Sequence, residues 1–132
     1  MTDCIFCKIV NGEVSAKKIY EDEKTIAFLS IGPLTSGHTL VIPKEHYEDI
    51  FDMPEELLKE VFVSVKKVSE ILKEKLKCDG INILNSNGKV AQQDVFHYHV
   101  HVIPRYAGSK FKLKSENSSP GNIDEVFKKI KE

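Results

Sequence analysis

The spacing of apolar residues predicts an α+β domain: a five-stranded antiparallel sheet with one long helix packed on it and short flanking helices. Three observations carry this. A stripe of Leu57, Leu58, Val61, Phe62, Val65, Val68, Ile71, Leu72 and Leu76 recurs at helical spacing through the middle of the chain. Short runs rich in β-branched and aromatic residues stand at Lys18–Glu21, Thr25–Leu29 and Thr39–Pro43, at residues 81–85 and at residues 96–105. Turn signals separate them at Asn11-Gly12, Gly32-Pro33, Ser36-Gly37 and Asn87-Gly88. Elements in this order form an antiparallel sheet with its helices on one side.

Each element has local reasons. Asp52-Met53-Pro54-Glu55 reads as the start of the long helix, with Asp52 as cap, Pro54 in the first turn where its missing N–H costs nothing, and Glu55 at the capping-box position. The helix is expected to end near Asp79-Gly80. Residues 115–121 read as a flexible connection, and Ile123, Val126, Phe127 and Ile130 beyond it mark a short amphipathic helix. The division is therefore one domain over residues 1–110 and a tail over residues 111–132 that is assigned no chemistry. No internal repeat or low-complexity tract interrupts it.

Composition narrows the class. With 132 residues the chain suffices for one domain with a real core. Its 41% apolar and 30% charged residues suit a globular protein, and 19 basic against 20 acidic residues leave a net charge of −1. Nucleic-acid binders carry a basic excess, so none is expected as partner; the local run of lysines in the tail reads as a solvated surface. No apolar stretch approaches the roughly 18 residues of a membrane span, and the start lacks the pattern of a signal peptide, so no membrane partner and a cytoplasmic location are expected. Three cysteines, an odd number, point to thiolate ligands or reactive thiols rather than a disulfide framework.

The most informative segment is Val95-Phe96-His97-Tyr98-His99-Val100-His101-Val102-Ile103-Pro104. On a strand, side chains alternate between faces, so His97, His99 and His101 share one face and Tyr98, Val100 and Val102 the other. One buried histidine is an ordinary core residue with a satisfied hydrogen bond. Three in a row each need a partner, which points to a site for a metal, an anion or a reaction intermediate.

Cys4-Ile5-Phe6-Cys7 has the gap that lets two thiolates close on one tetrahedral ion, and zinc favours sulfur mixed with imidazole nitrogen. A redox motif of the thioredoxin kind wants a preceding strand, and only three residues precede Cys4. Two unrelated buried cysteines remain the plain alternative. The preferred reading is a structural Cys2His2 zinc site whose histidines come from His38, His46, His97, His99 and His101, with His46 placed by its loop to reach the N-terminus. Cys78 reads as a small apolar residue. A catalytic zinc held by His97, His99 and His101 competes, but a tetrahedron filled by Cys4, Cys7, His46 and one further histidine is closed and leaves two imidazoles free. A neutral imidazole attacks phosphorus without a separate base if its other nitrogen is held as a donor. Asn85-Ser86-Asn87-Gly88-Lys89 and Gln92-Gln93-Asp94 form a polar connection able to offer N–H groups and amides to an anion.

From Gln93 to Arg105 the chain resembles the histidine triad (HIT) superfamily, whose signature is His-x-His-x-His followed by apolar residues. The resemblance extends to Gly37-His38-Thr39-Leu40-Val41-Ile42-Pro43-Lys44-Glu45-His46 and to Cys4-Ile5-Phe6-Cys7-Lys8-Ile9, covering residues from about 4 to 106. It implies a nucleotide-binding α+β fold, a homodimer, and hydrolysis at the α-phosphate through a nucleotidyl-histidine intermediate. It implies His99 as nucleophile and His101 at the phosphate, assisting transfer, with His38 supporting that end of the site. Asn85 and Gln93 would bond the phosphate or leaving group, and Phe6, Ile9, Phe28 and Ile31 would hold the base. Cys4, Cys7, His46 and His97 would hold structural zinc, as in the zinc-containing members.

Nucleotidyl transferases of the galactose pathway resemble this motif but carry glutamine at the position of His101, which favours the hydrolase branches. Among those, the cysteine pair and short single domain look most like the bacterial Hint-type nucleoside phosphoramidases. Three positions depart from the family's usual pattern. Ser30 stands where an acidic residue often holds the ribose, Gln92 replaces a common glycine, and Asp94 stands where a small residue or glutamate is frequent. An anion there suits a phosphate site only if it points away. The expected function is hydrolysis of a purine nucleoside monophosphate derivative, a phosphoramidate or related compound. The alternatives are a nucleotide sensor with little turnover and a dinucleoside polyphosphate hydrolase.

Overall fold

The computed structural model describes residues 3–113 and 121–132. The elements follow in the order α1 (Ile5–Val10), β1 (Lys18–Glu21), β2 (Thr25–Leu29), β3 (Thr39–Pro43), α2 (Glu55–Leu76), β4 (Gly80–Leu84), a single 3-10 turn (Lys89–Ala91), β5 (Val100–Arg105) and α3 (Ile123–Lys131). The strands form one five-stranded sheet in the order β1-β2-β3-β5-β4, every neighbouring pair antiparallel. No helix among the described residues is long and apolar enough to cross a membrane.

The pleat divides the core in two. Ala27, Val41, Tyr98, Val100 and Val102 project to one face, where Val61, Val65, Val68 and Leu72 of α2 cover them. Alternate residues Ile26, Phe28, Leu40 and Ile42 project to the other face and meet Phe6 of α1, so helices pack on both faces rather than on the one side expected, because the strands are apolar on both faces. Period-two alternation in the strands and period-3.6 spacing in α2 thus pair up, and each apolar side chain buried stabilises the domain by roughly 1.5–3 kcal/mol. Of the expected helical stripe, Phe62 and Leu76 remain exposed at the edges. One polar cluster pins α2 to the sheet. Asp22 accepts hydrogen bonds from the N–H groups of Lys24 and Thr25 and from the hydroxyls of Tyr20, Thr25 and Ser64. Burial alone would push the Asp22 carboxyl up, but the bonds from Thr25, Tyr20 and Lys24 bring it down to about 2.

Three boundaries differ from expectation. Helix α2 starts at Glu55 with Pro54 as an extended cap residue, and Asp52 bonds the Glu48 N–H instead of capping. The reason is a turn just upstream, in which the Asp52 and Met53 N–H groups bond Asp49 and Ile50. Strand β4 runs from Gly80 to Leu84, one residue earlier than expected. Strand β5 begins at Val100 rather than at residue 96, because its pairing with β3 stops at Val41. Beyond it, Pro43 has no N–H to offer, and its carbonyl accepts a bond from the His97 ring in place of a ladder partner.

The tail carries the short helix expected there. Asn122 caps α3 by accepting from the N–H groups of Asp124 and Glu125, and every residue of the helix is exposed. The connection expected at residues 115–121 lies, apart from Gly121, outside the described residues. At the other end of the sheet Gly37 leads into β3 with φ +89°, and a Cβ there would run into Leu76 and Pro104. Gly37→Ala is expected to lower stability by more than about 1 kcal/mol, read as a fall in the urea midpoint at unchanged m-value. An unchanged midpoint would show that the 30–38 loop gives way freely.

Candidate functional site

Helix α1 is short and held from both sides. Cys4 sits at its N-cap with its Sγ accepting from the Cys7 N–H at 3.3 Å, which brings the two thiols together one turn apart. The other side of the helix carries Phe6, whose ring meets Phe28, His97 and His99 edge-on at centroid distances of 5.4, 5.8 and 5.2 Å. One small element therefore borders a sulfur cluster and the histidine row at once.

Cys4, Cys7, His46 and His97 present four ligand atoms that all lie within 4.8 Å of one another. Cys4 Sγ is 3.3 Å and Cys7 Sγ 3.6 Å from His97 Nδ1, Cys7 Sγ is 3.4 Å from His46 Nδ1, and the two Nδ1 atoms are 3.2 Å apart. A tetrahedral zinc ion with ordinary bond lengths needs N···N of about 3.3 Å and S···N of about 3.5 Å, so the donor set fits it. The chemistry of the donors agrees. Burial first, then the neighbouring Cys4, pushes the Cys7 thiol up to about 11, the penalty two adjacent thiolates suffer without a cation between them.

Hydrogen bonds determine which nitrogen each imidazole leaves free. A carbonyl only accepts, so His97 donates from Nε2 to Pro43 O at 2.8 Å and turns the Nδ1 lone pair to the cysteines. His99 donates from Nδ1 to the His97 carbonyl at 2.7 Å, which leaves its Nε2 lone pair free. His38 accepts the Leu34 N–H at Nδ1, so its Nε2–H donates to His101 Nδ1 at 2.9 Å. His101 then carries its own hydrogen on Nε2. His99 and His101 lie with ring centroids 4.9 Å apart, so a nitrogen with an unshared lone pair and an N–H donor stand side by side.

Burial holds the rings of His38, His97 and His101 toward the neutral form. Burial, helped by His99 and His38, pushes His101 down to about 4, against a partial upward pull from Asp94. Burial likewise lowers His38. His97, fully buried, is pushed down to about 4 by the same cause.

The rings of His38, His99 and His101 form one part of the wall of a cavity of about 940 Å³. Ile5, Phe6, Ile9, Phe28, Leu29, Ser30 and Ile31 give it an apolar side, and Leu84, Ser86, Gln92, Asp94 and Val95 border it elsewhere. Its dimensions and its mixture of an apolar wall with a few convergent polar groups suit a ligand of nucleotide size.

Of the residues singled out in the sequence, Phe6, Ile9, Phe28, Ser30, Ile31, His38, His99 and His101 border this cavity, and Cys4, Cys7, His46 and His97 form the metal-type cluster. Asn85 and Gln93 take a different place from the one expected at a phosphate. The Gln93 amide donates to the Glu48 and Val95 carbonyls and accepts from the Gly88 N–H. Asn85 donates to the His99 carbonyl at 2.9 Å and accepts from Asn87. Buried loop backbone needs these partners, so both amides serve as struts behind the histidine segment. Sequence reasoning missed the Pro43 carbonyl and the Leu34 N–H, since backbone groups carry no residue-type signal.

Comparison with known proteins agrees with this geometry. The HIT domain matches residues 11–108. An uncharacterised HIT-like protein of Methanocaldococcus jannaschii is 52% identical over 128 residues, covering 97% of this chain and 98% of that protein. Two relatives have named activities. An adenosine 5'-monophosphoramidase of Candida albicans is 40% identical, over 77% of this chain and 70% of its own. An adenylylsulfatase of Arabidopsis thaliana is 39% identical, over 78% of this chain and 52% of its own. Among solved structures, a Streptococcus mutans protein superposes with TM-score 0.90 at 41% identity, over 99% of this chain and 85% of that one. A zinc-bound histidine triad family protein of Mycobacterium smegmatis superposes with TM-score 0.81 at 42% identity, over 89% and 85%. The chain belongs to the HIT domain family.

Proposed function

We propose that the protein is a nucleotide hydrolase that cleaves at the α-phosphate of a purine nucleoside monophosphate derivative through a nucleotidyl-His99 intermediate. The observation that carries this reading is the pair of neighbouring imidazoles with opposite free groups, a lone pair on His99 Nε2 and an N–H on His101 Nε2. Two of the relatives carry the names adenosine 5'-monophosphoramidase and adenylylsulfatase, which support nucleotide hydrolysis as the reading.

The steps follow from those groups. The base packs among Phe6, Ile9, Phe28 and Ile31, and the ribose lies near Ser30. His99 Nε2 forms a bond to phosphorus in line with the departing group, and the positive charge that the ring gains is stabilised, not neutralised, by the hydrogen bond from Nδ1 to the carbonyl of His97. The His101 Nε2–H holds a phosphoryl oxygen as charge develops on it, and His38 keeps that hydrogen on the outer nitrogen. In a phosphoramidate the P–N bond breaks, and the departing nitrogen takes its electron pair and a proton from solvent. Water then attacks phosphorus and loses its proton to solvent. The electron pair of the His99–phosphorus bond returns to Nε2, freeing the nucleoside monophosphate.

Cys4, Cys7, His46 and His97 would hold zinc, which would neutralise the thiolates and cross-link α1 to the segment before β5. Such a centre calls for a compartment that keeps thiols reduced, the cytoplasm.

His99→Ala is expected to lower turnover of adenosine 5'-phosphoramidate by at least about 10³-fold, and His101→Ala by about 10²-fold, in a product-release assay. Turnover that survives in His99→Ala sinks the covalent route. Chelation is expected to lower the thermal midpoint before it lowers turnover of the still-folded protein, with Cys7→Ser reproducing the drop. Immediate loss of chemistry at an unchanged midpoint would instead favour a catalytic metal.

The lowered histidines make stability depend on pH. His101 titrates near 4 in the native chain and near 6.5 when unfolded, so between these values the unfolded chain binds the extra proton. Its contribution is complete above pH 6.5 and is lost as the pH falls toward 4, with His38 acting in the same direction. Urea midpoints measured across that window are expected to drop steadily, and His101→Asn to flatten the slope.

A further inference from the structure

We propose that Asp94 sets the leaving-group specificity of this site, favouring substrates that release a neutral or cationic amine over those that release an anion such as sulfate or a phosphate. The inference rests on the hydrolase reading and concerns one carboxylate within it.

Asp94 does not point away from the histidines. Its Oδ1 lies 3.6 Å from His99 Nε2, the cavity-facing nitrogen of that ring, while its side chain is 80% exposed. The carboxylate therefore stands at the solvent-open rim, beside the position of the reacting phosphorus. Phe6, Ile9 and Phe28 border the same cavity as Asp94, and on the hydrolase reading, with the nucleoside against that apolar wall, the departing part is the part that meets the carboxylate.

The local charges are one-sided. Among the described residues that border the cavity, Asp94 is the only carboxylate and Lys17 the only permanent cation, and Lys17 lies beside Leu29, whose N–H bonds its carbonyl. The other titratable groups facing Asp94 are His38, His99 and His101, of which burial holds His38 and His101 toward the neutral form. Among the described residues that border the cavity, no permanent cation stands beside Asp94 to offset an anionic leaving group.

A unit charge about 6 Å from a carboxylate changes interaction by about tenfold or more at the effective dielectric of a solvent-open pocket. The field of Asp94 opposes the charge that accumulates on a departing sulfate or phosphate. It favours an amine that leaves protonated. Bond making and breaking are as described above: phosphorus exchanges its bond to the leaving nitrogen for one to His99 Nε2, and Asp94 forms no bond itself. Its negative charge acts on selection, as a repulsive element directed against the wrong class.

The test compares the wild type with Asp94→Asn, which preserves shape and removes the charge. The readout is kcat/KM on adenosine 5'-phosphoramidate and on adenosine 5'-phosphosulfate. The ratio of phosphosulfate to phosphoramidate activity is expected to rise by about tenfold or more in Asp94→Asn, with the gap narrowing as salt is added. A purely structural role would scale both activities together, so a ratio that moves less than about twofold overturns the proposal. A wild type that hydrolyses neither compound contradicts the hydrolase reading instead. Binding then decides Asp94 by itself, using AMP and the non-hydrolysable α,β-methylene analogue of ADP. Asp94→Asn is expected to tighten the analogue relative to AMP by about tenfold, and an unchanged ratio of Kd values overturns the inference.

Discussion

The site depends on how the backbone disposes of the inner nitrogens of a few buried imidazoles. A neutral imidazole has one donor and one acceptor, and in a buried position the donor must find a partner. The Pro43 carbonyl takes the hydrogen of His97, the His97 carbonyl takes that of His99, and His101 receives one from His38. Each ring is thereby left with a different outward group: a lone pair toward the thiols, a lone pair toward the cavity, and an N–H beside it. Burial supports the arrangement by keeping His97 and His101 uncharged.

The same bonds tie the metal-type cluster to the cavity. The carbonyl that orients His99 belongs to His97, and His97 faces Cys4 and Cys7 with its other nitrogen. Helix α1 closes the link, since its cysteines border the cluster while its Phe6 lies against both rings. Six residues of helix would be marginal alone in water, and here they are held by the cluster on one side and apolar packing on the other. The end of β3 keeps its pairing with β2 but has no ladder partner in β5, and this is part of the design. Because Pro43 cannot donate, the chain before β5 is released from the sheet and turns its histidine into the gap.

Much of this was legible in the sequence. The alternation of His97, His99 and His101 with Tyr98, Val100 and Val102 placed the two sets on opposite faces, and Tyr98, Val100 and Val102 do pack under α2. The cysteine spacing put two thiols together one helical turn apart. The limits of β5 and the start of α2 were misjudged because both depend on partners outside the local pattern. Val41 is the last residue of β3 to pair with β5, and a turn at residues 49–53 occupies Asp52.

Local periodicity and spacing therefore determined, without any tertiary information, that the long helix, the tail helix and five strands form, which residues share a face and which side chains are ligand-like, while the helix at Ile5–Val10 carried no such signal. Tertiary structure alone decided which atom of each residue is free. The partner of His97 lies 54 residues away and that of His101 63 residues away, and no short-range pattern encodes such a meeting. Gln93 and Asn85 turned to backbone carbonyls for the same reason, since buried loop backbone claims the nearest amide. Asp94 is the reverse case. Its side chain is free, and the loop that carries it sets the carboxylate beside His99.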